Sequence, residues 1–419
     1  MQLTSSVRGR LRAATCSLLA VTAGTVSAAN FGTKWQVDGA SLVYAENKRT
    51  TVFEPLLVIK RNFADGQSLQ GKFVFDAMTG ASPTGAAATG KVQTFTTPSG
   101  QHYQSQVGET PLRHFQDERA SADLDWTKPL NRRFTSELGG HLSKETDYAS
   151  VGATATFLAD LNQKLTTISL GGGYNSDRIN PVGGVPEGLT RLDPTKPVEK
   201  TMSKKIADGM IGVTQILSPR WLAQLNYSYA DENGYLTEPY KVISVVDPTS
   251  GETASGDYLY EKRPDRRVRQ SVFFSTAYHL NSDILHLSYR NYWDDWGIRS
   301  NTFDIKYDVS VSDKVYLEPH WRAYHQSAAD FYVHSLPRGA LLPNYATADY
   351  RFGDLTTQTL GAKIGVKTAE YQEFTARIEY MRQSGIEHPS DAIGVQQDFS
   401  MFPPIDILIL QIGYSIGLP

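Results

Sequence analysis

Cysteine is almost absent from this sequence. The single cysteine, Cys16, lies in a segment that has the three parts of a secretory signal. These parts are basic residues at the start, an apolar stretch over residues 13–23 and a small-residue cleavage motif, with Arg8, Arg10, Arg12 and Val26-Ser27-Ala28 as the marker residues. Removal of residues 1–28 would leave no cysteine, which excludes disulfides, thiol nucleophiles and cysteine-ligated metals.

Long apolar runs and an excess of basic charge are also missing. No eighteen apolar residues follow one another, so a membrane-spanning helix is excluded on length. The net charge is -3, and loss of the three signal arginines makes it -6. Without a basic block, nucleic acid is excluded as a partner.

The dominant positive feature is strict alternation of polar and apolar residues, which places successive side chains on opposite faces of a strand. The clearest example alternates Thr302, Asp304, Lys306, Asp308 and Ser310 with Phe303, Ile305, Tyr307 and Val309. Alternation alone also fits a secreted all-β protein whose polar face meets water.

Turn spacing favours a membrane barrel, because short turns and long loops follow each other in strict succession. The short turns lie near residues 65–66, 129–131, 161–163, 218–220, 281–283, 312–313 and 368–370. The connections on the other side span 46–50, 79–112, 145–148, 175–201, 231–264, 293–297, 328–350 and 385–403. We count about sixteen strands, an even number that places both chain ends in the periplasm.

The C-terminal residues support the same interpretation. Gln411, Gly413, Ile416 and Leu418 fit the last-strand signal that is read by the barrel assembly machinery, although Leu418-Pro419 replaces the usual terminal aromatic residue. We therefore predict an all-β fold over residues 29–419: a transmembrane antiparallel up-and-down β-barrel with short periplasmic turns and long extracellular loops, surrounded by outer-membrane lipid.

Three local strings resemble a bacterial family catalogued as domain of unknown function 3570. They are FDAMTGASP at residues 75–83, YWDDWGI at 292–298 and QSAADFY at 326–332. The resemblance runs from about residue 39 to the C-terminus and implies an outer-membrane barrel. It brings no functional residue with it.

Charged residues concentrate on one face of the predicted strands, and two interpretations stay open. Paired charges of both signs would form a rigid, wet wall, whereas unpaired ones would bias which ion or solute passes. The set that we predict to line the lumen is Lys72, Asp76, Arg267, Arg269, His286, Arg290, Asp304, Lys306, Asp308, Glu318, His320, Arg322, Arg377 and Glu379.

Two loops carry further candidates. Asp294 and Asp295 could hold a hard cation, or they could serve a tight turn in which Gly297 has a positive φ and the flanking tryptophans anchor at the membrane interface. The small residues 79–86 open the longest loop, which could fold into the lumen or stay solvated.

Function remains divided among three hypotheses. The first is a passive channel for small polar solutes or ions, without a cofactor. The second is a structural or assembly barrel filled by its own loops or by a periplasmic partner; the short stretch before the first strand argues against a plugged, TonB-driven receptor. The third and weakest is an outer-membrane hydrolase, because His114, His334-Ser335 and His388 occur outside any HExxH, GxSxG or P-loop motif.

We predict that the mature chain begins at Ala29 or Asn30, since the basic, apolar and cleavage regions agree. N-terminal sequencing of the protein from isolated outer membranes checks this. A mature form that still carries Arg8, Arg10 and Arg12 would contradict it.

Overall fold

In a computed structural model, which describes residues 33–96, 102–193 and 198–418, the chain is almost entirely β-structure. The predicted signal segment lies outside these residues. None of the helical turns in the described part has the length and apolarity needed to cross a membrane. The expected all-β fold is confirmed.

Sixteen strands form one closed antiparallel barrel, in which each strand pairs with its neighbour along the chain and the last pairs with the first. Numbered with all strands in chain order, they are β1 (Trp35–Glu46), β2 (Thr51–Asn62), β3 (Ser68–Pro83), β6 (Leu112–Pro129), β7 (Phe134–Lys144), β8 (Tyr148–Leu161), β9 (Thr166–Ile179), β10 (Met202–Ser218), β11 (Trp221–Gly234), β14 (Arg266–His279), β15 (Ile284–Asp294), β16 (Arg299–Ser310), β17 (Val315–Gln326), β19 (Leu355–Ala369), β20 (Gln372–Gly385) and β21 (Ile405–Leu418).

Five short strands lie in the connections between barrel strands. They are β4 (Gln93–Thr96), β5 (His102–Ser105), β12 (Val242–Val246), β13 (Thr253–Tyr260) and β18 (Leu336–Pro337). β4 pairs with β5, and β12 joins β13 and β18 in a three-stranded sheet. Single-turn 3-10 helices occur at Asn162–Lys164, Tyr350–Phe352 and Gly394–Asp398.

The register separates the barrel into an apolar outer face and a largely polar inner face. On β21, for example, Leu408, Leu410, Ile412 and Tyr414 are exposed, whereas the intervening side chains face inward and are at least half-buried. Alternation predicts this arrangement, because successive residues of a strand point to opposite faces.

The connections at one end of the barrel are all short, whereas those at the other end include both tight turns and long loops, as expected from the sequence. The loop after β3 is shorter than expected, because β3 continues to Pro83 and leaves residues 84–111 as the connection. β9 likewise continues to Ile179, five residues into the predicted loop at 175–201. Polar residues at these strand ends hide the continuation in the sequence.

Hydrophobic cores occur in the long loops at one end of the barrel. One cluster of buried residues is Ala86, Phe95, Val242, Tyr258 and Tyr260. A second cluster is Ile243, Leu259, Leu336 and Ala346. These loops therefore pack on one another as an ordered unit, which we call the cap: residues 84–111, 180–193, 198–201, 235–265, 327–354 and 386–404, as far as the structure describes them.

Arginine at Ile211 should destabilise the barrel more than arginine at Ala230. Ile211 is exposed on the apolar outer face, where a cation near the bilayer midplane costs about 2–4 kcal/mol. Ala230 pairs on the inner face with Asp208, whose Oδ2 lacks a hydrogen-bond partner among the described residues. Urea unfolding of Ile211→Arg and Ala230→Arg in lipid vesicles measures the difference, and equal losses would mean that the two faces are assigned wrongly.

Candidate functional site

The fourteen charged residues expected at the lumen all lie on the inward face of their strands. The register gives this directly, because cross-strand partners such as Asp304 and Arg322 point to the same side of the sheet. Their strands are β3, β14, β15, β16, β17 and β20. The structure brings most of them together in ion pairs. Among the described residues, Lys72, Arg290 and Lys306 have no ion-pair partner, and the Arg290 guanidinium lies over the Phe273 ring at 5.3 Å.

A continuous chain of ion pairs crosses four neighbouring barrel strands, β16, β17, β19 and β20. Glu318 binds Lys363 at 3.2 Å and Arg377 at 2.9 Å, and Arg377 also reaches Glu379 at 2.8 Å. Asp304 accepts a hydrogen bond from Nε of Arg322 at 2.8 Å. We call this chain the inner charge network.

His320 joins the two halves of the inner charge network. Its Nδ1 lies 2.8 Å from Glu379 Oε1 and its Nε2 lies 2.9 Å from Asp304 Oδ2. An imidazolium ion can donate from both ring nitrogens, so this position suits a charged histidine between two carboxylates. The His320 side chain is 4% exposed, which makes it the most buried link of the network.

Other inward charges pair more locally. Arg119 binds Asp76, Arg269 binds Glu232, and His286 Nε2 lies 3.2 Å from Asp308. Several of these side chains are still reached by solvent: Arg322 is 50% exposed, His286 38% and Arg269 37%. The barrel interior therefore contains space for water beside the paired charges.

Sequence reasoning missed several members of this wall, among them Lys363 and Arg119. Lys363 connects β19 to the inner charge network, and Arg119 neutralises Asp76 from β6. Both are inward by the same alternation that identified the others. Their strands contain many small or polar residues, so the two faces are harder to distinguish there.

The cap crosses the mouth of the barrel. Lys241, in the loop between β11 and β14, donates through Nζ to the carbonyl oxygen of Pro83 at the end of β3. Five barrel strands separate β3 from β11 in one direction, and eight separate it from β14 in the other. A contact between nearly opposite sides of the barrel requires the loop to span the opening.

Further hydrogen bonds join the loops of the cap to one another and to the rim of the barrel. Backbone of residue 242 donates to Thr84 O at 2.8 Å, and the backbone N–H of Ala87 donates to Ser244 Oγ at 2.9 Å. On the far side, Gln326 of β17 donates through Nε2 to the carbonyl oxygens of Arg351 and Gly353, both at 2.9 Å. The cap is thus attached to the rim on several sides.

A buried charge cluster lies inside the cap. Arg263 contacts Glu261 at 2.7 Å and Asp349 at 2.9 Å, and Arg351 also binds Asp349. Burial pushes the pKa of Asp349 up, but the positive charges of Arg351, Lys241 and Arg263 outweigh burial and hold that pKa below its ordinary value. Burial raises the pKa of Glu261, while it lowers the pKa of Lys241. Loss of a single partner here would leave a buried charge without a counter-ion.

A small cavity lies where the cap meets the end of β3. This cavity of about 30 Å³ lies between Arg49, Tyr332, His334, Asp349, Tyr350 and Phe402. That volume accommodates a very few water molecules. It is too small for a solute that would enter from outside.

Asp294 stabilises the tight turn between β15 and β16 and also forms an ion pair. Its Oδ1 accepts the backbone N–H groups of Trp296 at 3.1 Å and Ile298 at 2.9 Å, and its Oδ2 binds Arg267 at 2.6 Å. Gly297 has the expected positive φ of 86°. With both oxygens engaged, the turn explains this aspartate better than a cation site does.

Trp296 was expected to anchor the turn at the membrane interface, and this expectation is wrong. Its side chain is 4% exposed and packs edge-on against Phe331 of the cap, with ring centroids 5.1 Å apart. The indole N–H donates to the carbonyl oxygen of Arg266 at 2.8 Å. Alternation could not reveal this, because the residue lies in a turn and its contacts are distant in sequence.

The small residues after β3 belong to the cap. Ala86, Ala87 and Ala88 are at most 3% exposed, which rules out a solvated loop tip at these positions. Gly85 has φ 93°, and a Cβ there would collide with the carbonyl oxygen of Val242. Glycine is needed at this point because the two loop backbones touch.

An acidic group that sequence reasoning did not identify lies beside the tight β7–β8 turn. Asp117, Glu145 and Asp147 each offer a carboxylate oxygen within 4.8 Å of the others. Burial, with help from Asp117, raises the pKa of Glu145 to about 7. Asp147 already accepts the hydroxyl of Tyr240 at 2.8 Å, which ties the turn to the cap.

The residues considered for a hydrolase have other partners. Ser335 donates to Gln396 Oε1 at 2.7 Å, and His334 lies 3.5 Å from Asp391. His388 contacts the backbone oxygen of Gln397 at 3.0 Å. The structure does not bring His334 and Ser335 into a nucleophile–base pair among the described residues.

Comparison with known proteins identifies the family. The profile of the family described as "Protein of unknown function (DUF3570)" matches residues 8–416, nearly the whole chain. The chain belongs to this family. The resemblance of the three local strings is thereby confirmed, and a search of curated proteins gives no significant match.

Several solved structures show weak likeness to this DUF3570 barrel. A mutant of the ferric enterobactin receptor PfeA from Pseudomonas aeruginosa has a TM-score of 0.45 and 10% identity over 91% of this chain and 60% of that one. The siderophore receptor PirA from Acinetobacter baumannii gives 0.42 and 10% over 84% and 53%, and the toluene transporter TodX from Pseudomonas putida gives 0.40 and 8% over 92% and 90%. The chain thus spans 60% and 53% of the two receptors, and likeness at this level says nothing about function.

Leucine at His320 should lower the free energy of unfolding by about 3–5 kcal/mol, because it leaves Asp304 and Glu379 without their shared partner at a buried position. Leucine at His286 is the control, since that side chain is 38% exposed and its pair should contribute about 1 kcal/mol or less. Urea unfolding in vesicles measures both, and a His320→Leu loss no larger than that of His286→Leu would show that the network is not joined there.

Proposed function

We propose that this protein is an outer-membrane channel for small polar solutes or ions whose outer end is held closed by the cap. The single observation that carries the proposal is the contact of Lys241 with Pro83, which closes the mouth of a barrel that has a wet, charged interior. The polar inner wall of the barrel permits passage of hydrated solutes, and movement of the cap gates that passage.

Location in the outer membrane is supported by the surface of the barrel. Large apolar side chains are exposed on its outer face over many strands, including Leu142, Leu170, Ile211, Leu360 and Ile412. A closed antiparallel barrel is the β-structure that satisfies every backbone hydrogen bond within lipid. Lipid around the barrel, and the barrel assembly machinery during insertion, are the partners that this location requires.

The solute class follows from the inner wall. Most inward charges are paired with opposite charges, as Arg377 is with Glu318 and Glu379. Paired rings of both signs produce only a weak preference between cations and anions. We therefore favour a weakly selective path for small polar solutes over a specific ion channel, and transport over catalysis.

A structural barrel with a filled lumen is the second candidate. The two hydrophobic clusters of the cap and the buried cluster around Asp349 favour it, since such packing is costly to open. In that case the cap would be permanent. A periplasmic partner at the opposite end would be compatible with either candidate.

Alanine at Gly85 should open the channel. The new Cβ collides with backbone of β12, so the cap must move away from the end of β3, whereas the parent should conduct little. Single-channel recording in planar bilayers measures the open probability, which we expect to rise at least about tenfold, the equivalent of roughly 1.4 kcal/mol of cap destabilisation.

Gly256→Ala is the matched control. Gly256 also lies in the cap and has a positive φ of 79°, but a Cβ there meets nothing within 4 Å. Its conductance should stay at the parent level. Stable insertion of all three proteins with no conductance in any of them, even after the cap is displaced, would overturn the channel and leave the structural barrel.

A further inference from the structure

Three basic residues lie together on the outward face of the barrel, near the end that carries the cap. Lys144 of β7 pairs with Ala149 of β8, and Ala149 pairs with Arg178 of β9, which in turn pairs with Ser203 of β10. Lys144 and Arg178 therefore lie in one row across the strands. Two strand spacings, about 10 Å, separate them. Lys205 lies one row nearer the middle of the barrel, beside Ser176.

The three cations are exposed and free of partners. None of them makes an ion pair or a side-chain hydrogen bond with any residue that the structure describes. On the two strands that flank β7 to β10, the outward carboxylates at this end are Glu118 on β6 and Asp231 on β11. Asp231 is already bound by Arg266 at 2.7 Å, so the patch of Lys144, Arg178 and Lys205 keeps its positive charge.

The basic patch lies at the edge of the apolar outer surface. Leu142 and Val151 occupy the same row as Lys205 and are 60% and 52% exposed, and Leu170 and Ile211 follow nearer the barrel middle. Cations at the boundary between an apolar band and water stand where lipid headgroups are found.

A shallow depression lies directly on the membrane side of the patch. Two successive rows there contain mainly glycine and alanine on the outward face, whereas the rows on either side contain bulky side chains. The small residues are Gly140, Ala153, Ala155, Gly172, Ala207 and Gly209. The bulky side chains in these rows are Tyr174, between Ala153 and Ala207, and Leu138, beside Ala155, so the depression is deepest along Ala155, Gly172 and Gly209. An acyl chain could lie against such a surface more closely than against the rest of the barrel.

We propose that the basic patch binds the phosphate groups of a phosphorylated glycolipid in the outer leaflet, with an acyl chain in the depression below. Charge complementarity selects the occupant, because phosphates at the headgroup level match three unpaired cations at the same level. The inference rests on the proposed outer-membrane location, and it is independent of whether the barrel conducts.

The experiment uses full-length refolded protein in a neutral detergent with lipid A as the probe. Native mass spectrometry measures how much lipid A stays bound. The double variant Arg178→Gln with Lys205→Gln should bind lipid A on the order of 30-fold more weakly, because each interfacial cation contributes about fivefold. Raised salt should reduce binding to the parent and affect this variant less.

Arg299→Gln with Arg382→Gln is the matched control, since both residues are exposed on the outer face at the same end but lie on strands far from the patch. This pair removes the same charge and should bind lipid A as the parent does. Equal loss in both double variants would overturn the proposal, because it would mean a general effect of net charge.

Competing ligands and a variant in the depression identify which chemical groups of lipid A are bound. Phosphatidylcholine has a phosphate whose charge is balanced by choline. Its binding as tightly as lipid A would overturn selection by the net negative charge of the phosphates. Full displacement of lipid A by a small excess of inorganic phosphate would also overturn the proposal, because it would indicate a free-phosphate site. Gly209→Leu fills the depression at a point where a Cβ has only Gly171 O at 3.8 Å, and it should weaken lipid A binding several-fold. Vesicle insertion measured in parallel tests the membrane location separately.

Discussion

Closure of the sheet is the constraint on which the rest of the structure depends. β1 and β21 are at opposite ends of the described chain, yet they pair without interruption from Trp35 opposite Leu418 to Glu46 opposite Ile407. Within lipid an unpaired strand edge would leave backbone groups without hydrogen bonds, at a cost of several kcal/mol each. The barrel therefore either closes completely or does not span the membrane.

Closure also fixes where polar and apolar side chains can go. The outer face meets lipid, so the inner face receives the charges, and these approach one another across neighbouring strands. His320 and Arg377 illustrate the result, since each links two carboxylates that come from different strands. The space that the barrel encloses is closed at one end by loops that have hydrophobic clusters of their own.

The sequence was sufficient for the barrel and insufficient for the cap, for a physical reason. A strand repeats every two residues, so Asp304, Lys306 and Asp308 reveal their common face without any knowledge of their neighbours. The cap has no such repeat. Gly85 touches residue 242, and Arg263 binds Asp349, through loops whose spacing in the sequence carries no signal. Trp296 was misplaced for the same reason, because its packing partner Phe331 comes from another loop.

A disulfide across the mouth tests the central claim most directly, since residues 29–419 contain no native cysteine. The backbone nitrogen of Ala87 lies 2.9 Å from Ser244 Oγ, so the two residues are in direct contact, as a disulfide between cysteines at these positions requires. We expect the pair Ala87→Cys with Ser244→Cys to cross-link in outer membranes of intact cells under mild oxidation, as a mobility shift on non-reducing gels. Two free thiols in protein that is folded and inserted would contradict a cap that crosses the barrel mouth.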